Sequence, residues 1–302
     1  MENLRGLVTR SQSGFYTDHT EAGDLVCRLR GRLKRGPREE DIVAIGDHVL
    51  VAQVDDETGM IEEVLPREHA LVRQAPTPRG EYKQIIVANP DQAVFVFACQ
   101  QPEPRLGMLD RFLVIAEKQG IPAVVVANKI DLVGRQAAEA LFECYRQAGY
   151  PVIYTSAQTE EGIEQLREQL AGRLSVLSGP SGVGKSSLLN ALRPGLGLEV
   201  RAVSEATQKG KHTTVFRELF ALDADSYVAD TPGLKALALW DIEPEELDGY
   251  FPEIRPLVAL CEYNDCTHID EVNCAVQDAV AAGDIPESRY LSYVRMRLGE
   301  EE

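Results

Sequence analysis

Two short segments of this chain concentrate the residue types that handle a nucleotide. Gly179-Pro180-Ser181-Gly182-Val183-Gly184-Lys185-Ser186, followed by Ser187, fits the pattern G-x-x-x-x-G-K-[ST]. Its glycines let the backbone close tightly enough for the loop amides to converge on a β-phosphate. Lys185 offers a cation to the β- and γ-phosphates, and Ser186 a hydroxyl to Mg²⁺. A helix beginning there adds its positive N-terminal end. Asn128-Lys129-Ile130-Asp131 has the makings of a base reader. A carboxylate at Asp131 can accept from both N1–H and the exocyclic amine of guanine. Adenine offers no such pair, and a mispaired buried carboxylate is costly. Asn128 would brace this loop, and the Lys129 stem would lie over the base.

Three weaker elements complete the set. Thr155-Ser156-Ala157 follows an apolar strand, where the backbone of Ser156 and Ala157 could meet the guanine carbonyl oxygen. Asp230-Thr231-Pro232-Gly233 follows another strand, with Asp230 placed to hold Mg²⁺ through water and the Gly233 amide to meet the γ-phosphate. Lys209-Gly210-Lys211-His212-Thr213-Thr214 is a polar loop suited to close over Mg²⁺ and the γ-phosphate through either threonine, Thr214 being preferred. The position after Gly233 is Leu234, where many GTP-hydrolysing proteins carry a water-orienting Gln. Unassisted hydrolysis is therefore expected to be slow, with the missing group supplied by His212 or by a partner. The order is as informative as the parts. The base reader precedes the phosphate loop, the reverse of the usual arrangement, so these are the pieces of a guanine-nucleotide switch in circularly permuted order.

A second chemistry lies near the C-terminus. Of six cysteines, three fall in Cys261-x4-Cys266-x-His268-x5-Cys274. Three thiolates and one imidazole make a closed tetrahedral zinc set, structural rather than catalytic. Cys27, Cys99 and Cys144 sit in apolar runs and read as core residues.

These residues need elements to position them. At 302 residues the chain is long enough for two or three domains. Residues 4–70 read as short strands (6–9, 25–29, 49–54 and 59–64) broken by Gly and Asp clusters, which suggests a small OB-fold barrel. Residues 74–80 read as a linker. From residue 85, strands and helices alternate, the mark of a parallel sheet. The runs 93–98, 123–127, 152–155, 174–178, 215–222 and 227–229 are its strands. Helices are expected at 106–120, 135–148, 161–171 and from 185. The predicted fold is α/β: a permuted phosphate-loop core at 76–240, an all-β barrel at 1–75 and a small, mainly helical zinc-binding domain at 241–302.

The net charge of −17 is unevenly placed: residues 241–302 hold 16 acidic and only 4 basic side chains. Arg28, Arg30, Arg32, Lys34, Arg35 and Arg38 form a run without an acid. Because phosphate contacts are local and screened beyond about 10 Å, an acidic protein can still bind nucleic acid through such a patch. A solvated charged strand or loop is the competing reading. The N-terminus lacks the apolar core of a signal peptide, and no run of about 18 apolar residues could cross a membrane. The expectation is a cytoplasmic protein without membrane contact, and nothing in the sequence demands more than a monomer.

Taken together, the motif order, the segment 210–214 and the Cys-Cys-His-Cys spacing resemble the circularly permuted GTPases called ribosome small-subunit-dependent GTPase A, or YjeQ, over essentially the whole chain. The resemblance implies a GTPase stimulated by the 30S subunit, binding 16S rRNA through its flanking domains and acting late in subunit maturation, with GTP or GDP, Mg²⁺ and one structural Zn²⁺. The acidic C-terminal region sets a limit on broad phosphate contact there, leaving a few residues such as Arg255, or ribosomal protein, as its means of contact. Two other readings remain open at this point: a nucleotide-gated RNA-binding adaptor whose hydrolysis is incidental, and a metal-trafficking GTPase with an exchangeable site.

Overall fold

The computed structural model describes residues 3–35, 40–77, 80–197, 217–230 and 242–300. The chain forms two compact units, one of residues 1–93, 169–178 and 202–236, the other of residues 94–168, 179–201 and 237–302.

The first unit begins with five strands: β1 (Leu4–Gln12), β2 (Phe15–Thr20), β3 (Gly23–Leu29), β4 (His48–Gln53) and β5 (Thr58–Val64). β1 pairs with β2, β2 with β3, β5 with β4 and β4 with β1, all antiparallel, while β3 and β5 run parallel. The ring β1-β2-β3-β5-β4-β1 is closed, giving the OB-like barrel expected from the sequence. Alternation builds its core: along β3, Leu25, Cys27 and Leu29 point inward while Val26 and Arg28 point out. They meet Val8, Val43, Val49, Val51 and Ile61, each such side chain contributing roughly 1.5–3 kcal/mol by burial. Bulges at Val8/Arg10 and Leu50/Val51 give the bends that closure needs. β2 was not among the strands read from the sequence, because Phe15-Tyr16-Thr17-Asp18-His19-Thr20 shows no apolar alternation.

The segment read as a linker is instead strand. β6 (Ala70–Thr77) and β7 (Gly80–Ala88) pair antiparallel in a long hairpin, so Pro76 and Gly80 lie on its two arms. In the same unit, β11 (Leu174–Ser178) pairs in parallel with β13 (Tyr227–Asp230), and β12 (Arg217–Ala221) pairs antiparallel with both β13 and β1.

The second unit holds three strands in the order β10 (Val152–Thr155), β9 (Ala123–Asn128), β8 (Gln92–Ala98, its first two residues belonging to the first unit), with β10 and β9 parallel. β8 and β9 are buried at every position, as their unbroken apolar runs require of strands covered on both faces. The helices are α1 (Leu106–Lys118), α2 (Arg135–Gln147), α3 (Ile163–Leu170) and α4 (Lys185–Leu192). The last described stretch has 3₁₀ turns at Pro244–Tyr250 and Arg255–Leu260, then α5 (Ala275–Ala282) and α6 (Glu287–Arg297). Its small core is Leu247, Phe251, Ile254, Val276, Ile285, Tyr293 and Met296, with Cys266 and Cys274 packed among them. Cys27 and Cys99 are buried and Cys144 is half-buried. No helix among the described residues is long and apolar enough to cross a membrane.

Asp18 is the anomaly of the barrel. It is fully buried, and its carboxylate oxygens meet no nitrogen or oxygen donor among the described residues, only the weak thiol of Cys27. Burial raises its pKa to about 6, a rise that the neighbouring Cys27 thiol partly offsets. A folded-state pKa above the ordinary 3.8 means that folding favours the protonated form. The cost is absent below about pH 4, develops as pH rises through 6, and reaches about 3 kcal/mol at neutral pH. Asp18→Asn should therefore flatten the fall in stability between about pH 4 and 7. Denaturant titrations across that range check it, and an unchanged slope would show that another group carries the dependence.

Candidate nucleotide site and metal centre

The phosphate loop follows β11 and opens α4. Its glycines are required by what surrounds them. Gly179 (φ +151°) lies so close to β8 that a Cβ would stand 2.0 Å from the Val96 carbonyl oxygen. At Gly184 (φ +98°) a Cβ would stand 2.4 Å from Asn128 Nδ2. Among the described residues no side chain caps the N-terminus of α4, and a helix start of this kind suits a bound anion. Lys185 Nζ donates to the carbonyls of Gly179 (2.8 Å) and Pro180 (2.9 Å), holding the ammonium over the loop. Ser186 and Ser187, the next residues of α4, are half-buried, and Ser181 at the crest is exposed. This cradle fits the phosphates that the sequence motif implies.

The base-reading segment is fastened to that cradle. Asn128 ends β9 and is 1% exposed. Its Nδ2 donates to the Val183 carbonyl (2.8 Å), and its Oδ1 accepts from Thr155 Oγ1 (3.0 Å). Lys129 takes a left-handed conformation (φ +63°), which turns its side chain to donate to the carbonyls of Gly182 (2.7 Å) and Gln101. Burial lowers the Lys129 pKa against the opposing pull of Asp131. Asp131 sits in the 3₁₀ turn Ile130–Leu132 with its side chain exposed. The next loop is shaped by Gly162 (φ +71°), where a Cβ would meet the Tyr154 carbonyl oxygen at 2.0 Å. There Ser156 is buried, its amide donating to the Glu161 carbonyl and its hydroxyl accepting from the Thr159 amide, with Ala157 beside it.

The structure thus brings Asn128, Lys129 and the loop Gly179–Ser187 together, with Asp131, Ser156 and Ala157 on the two loops that leave β9 and β10. Two contributors were not singled out by the sequence reading: the Thr155 hydroxyl and the Gln101 carbonyl. A polar side chain ending an apolar strand was the signal for Thr155. A backbone carbonyl leaves no signal at all. Asp230 ends β13, while His212, Thr213, Thr214, Gly233 and Leu234 lie outside the described residues.

The four expected metal ligands form one cluster. The ligand atoms of Cys261, Cys266, His268 and Cys274 all lie within 4.8 Å of one another. His268 Nδ1 is 3.5 Å from Cys261 Sγ and 3.4 Å from Cys274 Sγ, and the two sulfurs are 3.9 Å apart. Tetrahedral bonds of about 2.3 Å to sulfur and 2.0–2.1 Å to nitrogen place such atoms roughly 3.5–3.8 Å apart. The set is therefore compatible with one zinc ion. His268 Nε2 lies 3.4 Å from the Asp248 carboxylate, the outer partner that commonly fixes a ligating imidazole. Tyr290 and Tyr293 of α6 donate to the carbonyls of His268 and Thr267. Glu271 accepts from the amides of Thr267 and Ile269. Those bonds outweigh its burial and hold its pKa near 2.

Comparison with known proteins agrees with this geometry. The RsgA GTPase family model matches residues 64–240, and the RsgA N-terminal domain model matches residues 5–61. A small ribosomal subunit biogenesis GTPase RsgA of Gemmatimonas aurantiaca is 47% identical over 296 residues, covering 97% of this chain and 96% of that protein. One from Moorella thermoacetica is 43% identical over 291 residues, covering 96% and 95%. Among solved structures, YjeQ from Thermotoga maritima aligns with a TM-score of 0.79 at 38% identity, covering 98% of each chain. YloQ, described as a circularly permuted GTPase, aligns at 0.75 with 32% identity, covering 98% of this chain and 94% of that one.

Two outcomes follow from the geometry. Asn128→Ala removes both bonds that join the base loop to its neighbours and should weaken GDP binding at least about tenfold, a loss of ~1.4 kcal/mol. Fluorescence titration with a labelled guanine nucleotide measures it, and unchanged affinity would show the brace to be dispensable. Removing metal with a chelator should release about one zinc per chain and lower the stability of the region containing α5 and α6, since the thiols that hold the ion also sit in its core. Elemental analysis together with hydrogen exchange checks both halves.

Proposed function

The chain belongs to the RsgA GTPase family of GTP-hydrolysing enzymes, and from that premise we propose that it is a GTPase of small-ribosomal-subunit biogenesis, assisting late maturation of the 30S particle and stimulated by it. The observation that carries the reading is the double tie of Asn128 to Val183 and Lys129 to Gly182. The Asn128 tie spans 55 residues of permuted sequence, and it supports reading the loop that carries Asp131 as the base reader of the adjoining phosphate loop.

In this reading Asp131 pairs with the guanine edge, the Lys129 stem covers the base, and the backbone of Ser156 and Ala157 meets the base carbonyl. Lys185 turns from the Gly179 and Pro180 carbonyls to the β- and γ-phosphates. Ser186 and Thr214 would hold Mg²⁺, with Asp230 through water, and the ion would neutralise charge on the phosphates. The Gly233 amide fixes the γ-phosphate. Leu234 cannot orient water, so the attacking water depends on His212 or on a group from the subunit. The working parts are the barrel (1–75), the permuted core (76–240) and the zinc-binding domain (241–302).

Contact with 16S rRNA falls to the barrel. Arg30 and Arg32 both pair with Glu62 of β5, while the Arg28 guanidinium lies 4.5 Å from the exposed Phe15 ring, a combination suited to a base and its phosphate. The chain would act in the cytoplasm as a monomer.

The decisive measurement is GTP hydrolysis by the chain alone, with 30S subunits and with 50S subunits, beside Lys185→Ala. Stimulation by 30S alone is expected, reduced roughly 10²–10³-fold in the variant through loss of charge stabilisation. Equal rates with both subunits, or none with 30S, would remove the ribosomal assignment while leaving the nucleotide site intact.

A further inference from the structure

A cleft of about 740 Å³ opens between the N-terminal end of α1, the C-terminal half of α2 and one side of α6. It shares no residue with the phosphate loop, the base-reading loop or the metal cluster. Its size falls within the roughly 300–1,000 Å³ usual for small-molecule sites. Its charge runs against its surroundings. Residues 241–302 contain only four basic side chains, of which three are on α6, and Arg289 and Arg295 line the cleft together with Arg105 from the entrance to α1.

The pairing of these groups is decisive. Among the described residues the one acid lining the cleft is Asp110, and it is engaged by Arg289, which also holds Glu253. Arg105 and Arg295 have no acidic partner among the described residues, although the chain has 48 acidic side chains to offer. Ser292, 7% exposed, lines the same cleft with a hydroxyl that has no hydrogen-bond partner among the described residues. The first turn of α1 also has no side-chain cap among the described residues. Two open guanidinium groups, a nearly buried hydroxyl and an uncapped helix start converge on one cavity. Leu106 and Leu291 supply an apolar wall.

We propose that this cleft binds the phosphate group of a small phosphorylated ligand, a site separate from the GTP site and independent of the ribosomal assignment. Arg105 and Arg295 take the anion, bidentate contact being natural to guanidinium. Ser292 donates the inner hydrogen bond, and the apolar wall receives the body of the ligand. Because its walls come from both α1 and α6, occupancy would tie these helices together.

The test is calorimetric titration of inorganic pyrophosphate, without Mg²⁺, into the nucleotide-free full chain. Two sites per chain are expected, one of them at the phosphate loop. Arg105→Ala with Arg295→Ala should remove one site and leave GDP affinity unchanged, while Lys185→Ala should remove the other. Ser292→Val, a smaller change, should weaken the second site at least tenfold. Both arginines are exposed, so the double variant is expected to fold, and unchanged GDP binding verifies that it has. One site in the unaltered chain, or two in the double variant, would overturn the proposal. So would arginine-dependent binding of a short single-stranded RNA with none of pyrophosphate, since that would assign the cleft to an RNA backbone.

Discussion

The nucleotide region depends on one side chain that bonds at both ends. Asn128 is fully enclosed, so its carboxamide must satisfy donor and acceptor inside the protein or cost the desolvation of each. It does so by reaching the Val183 carbonyl with one end and the Thr155 hydroxyl with the other. Three segments that sequence keeps apart are thereby held at fixed distances: the end of β9, the end of β10 and the phosphate loop. Gly184 is the other half of the constraint, because any Cβ there would occupy the space of the Asn128 amide. Sequence order does not enter this argument. Contacts of this kind survive when the joins between strands are redrawn, so a permuted chain can keep an intact guanine site.

A different economy governs the last sixty residues. Their core is small, and much of what surrounds it is acidic. Where the apolar contribution is thin, order comes from directed bonds. Arg289 is 1% exposed and holds the carboxylates of Asp110 and Glu253, with its guanidinium 4.7 Å from the Phe251 ring. Such a cluster adds little stability over an apolar equivalent, but losing one member leaves an uncompensated buried charge. It therefore fixes where α6 lies against α1. The cysteine–histidine set serves the adjoining loop similarly, and α6 joins the two through Tyr290 and Tyr293. A short helix thus carries both anchors of a region too small to order itself by burial alone.

Legibility in the sequence followed the range of the interaction. Strands β8 and β9 were plain, since unbroken apolar runs have few other uses. The segments 128–131 and 179–187 and the Cys-Cys-His-Cys set stood out as patterns because such spacings are set by local geometry, and the structure draws the first two together and gathers the third. Strand β2 was hidden by Thr17, Asp18, His19 and Thr20, whose polarity says loop while their pairing partners on β1 and β3 say sheet. The hairpin of β6 and β7 passed for a linker because prolines and a glycine near its turn resemble those of a joint. Which buried polar groups find partners was illegible throughout: Thr155 meets Asn128, whereas Asp18 is left with only the weak Cys27 thiol beside it, and only the folded neighbours decide that.

The basic run of the barrel shows the same limit in electrostatic form. Read along the chain, residues 28–38 contain no acid, and the patch looks like six free cations. In three dimensions Glu62, from the parallel neighbour β5, takes both Arg30 and Arg32. A polyanion arriving at this face must therefore exchange a carboxylate for a phosphate at two positions, which returns little net Coulomb energy. Arg28 carries no such debt: its partner is the face of Phe15, which leaves its charge available while limiting its rotamers. Affinity for single-stranded nucleic acid should then rest on one stacked cation and the aromatic beneath it more than on the count of basic residues. With Debye screening near 10 Å at ordinary ionic strength, it is the charges within that range that set this local balance. Charge written along a sequence bounds what a surface can attract, but strand neighbours decide how much of it is free to act.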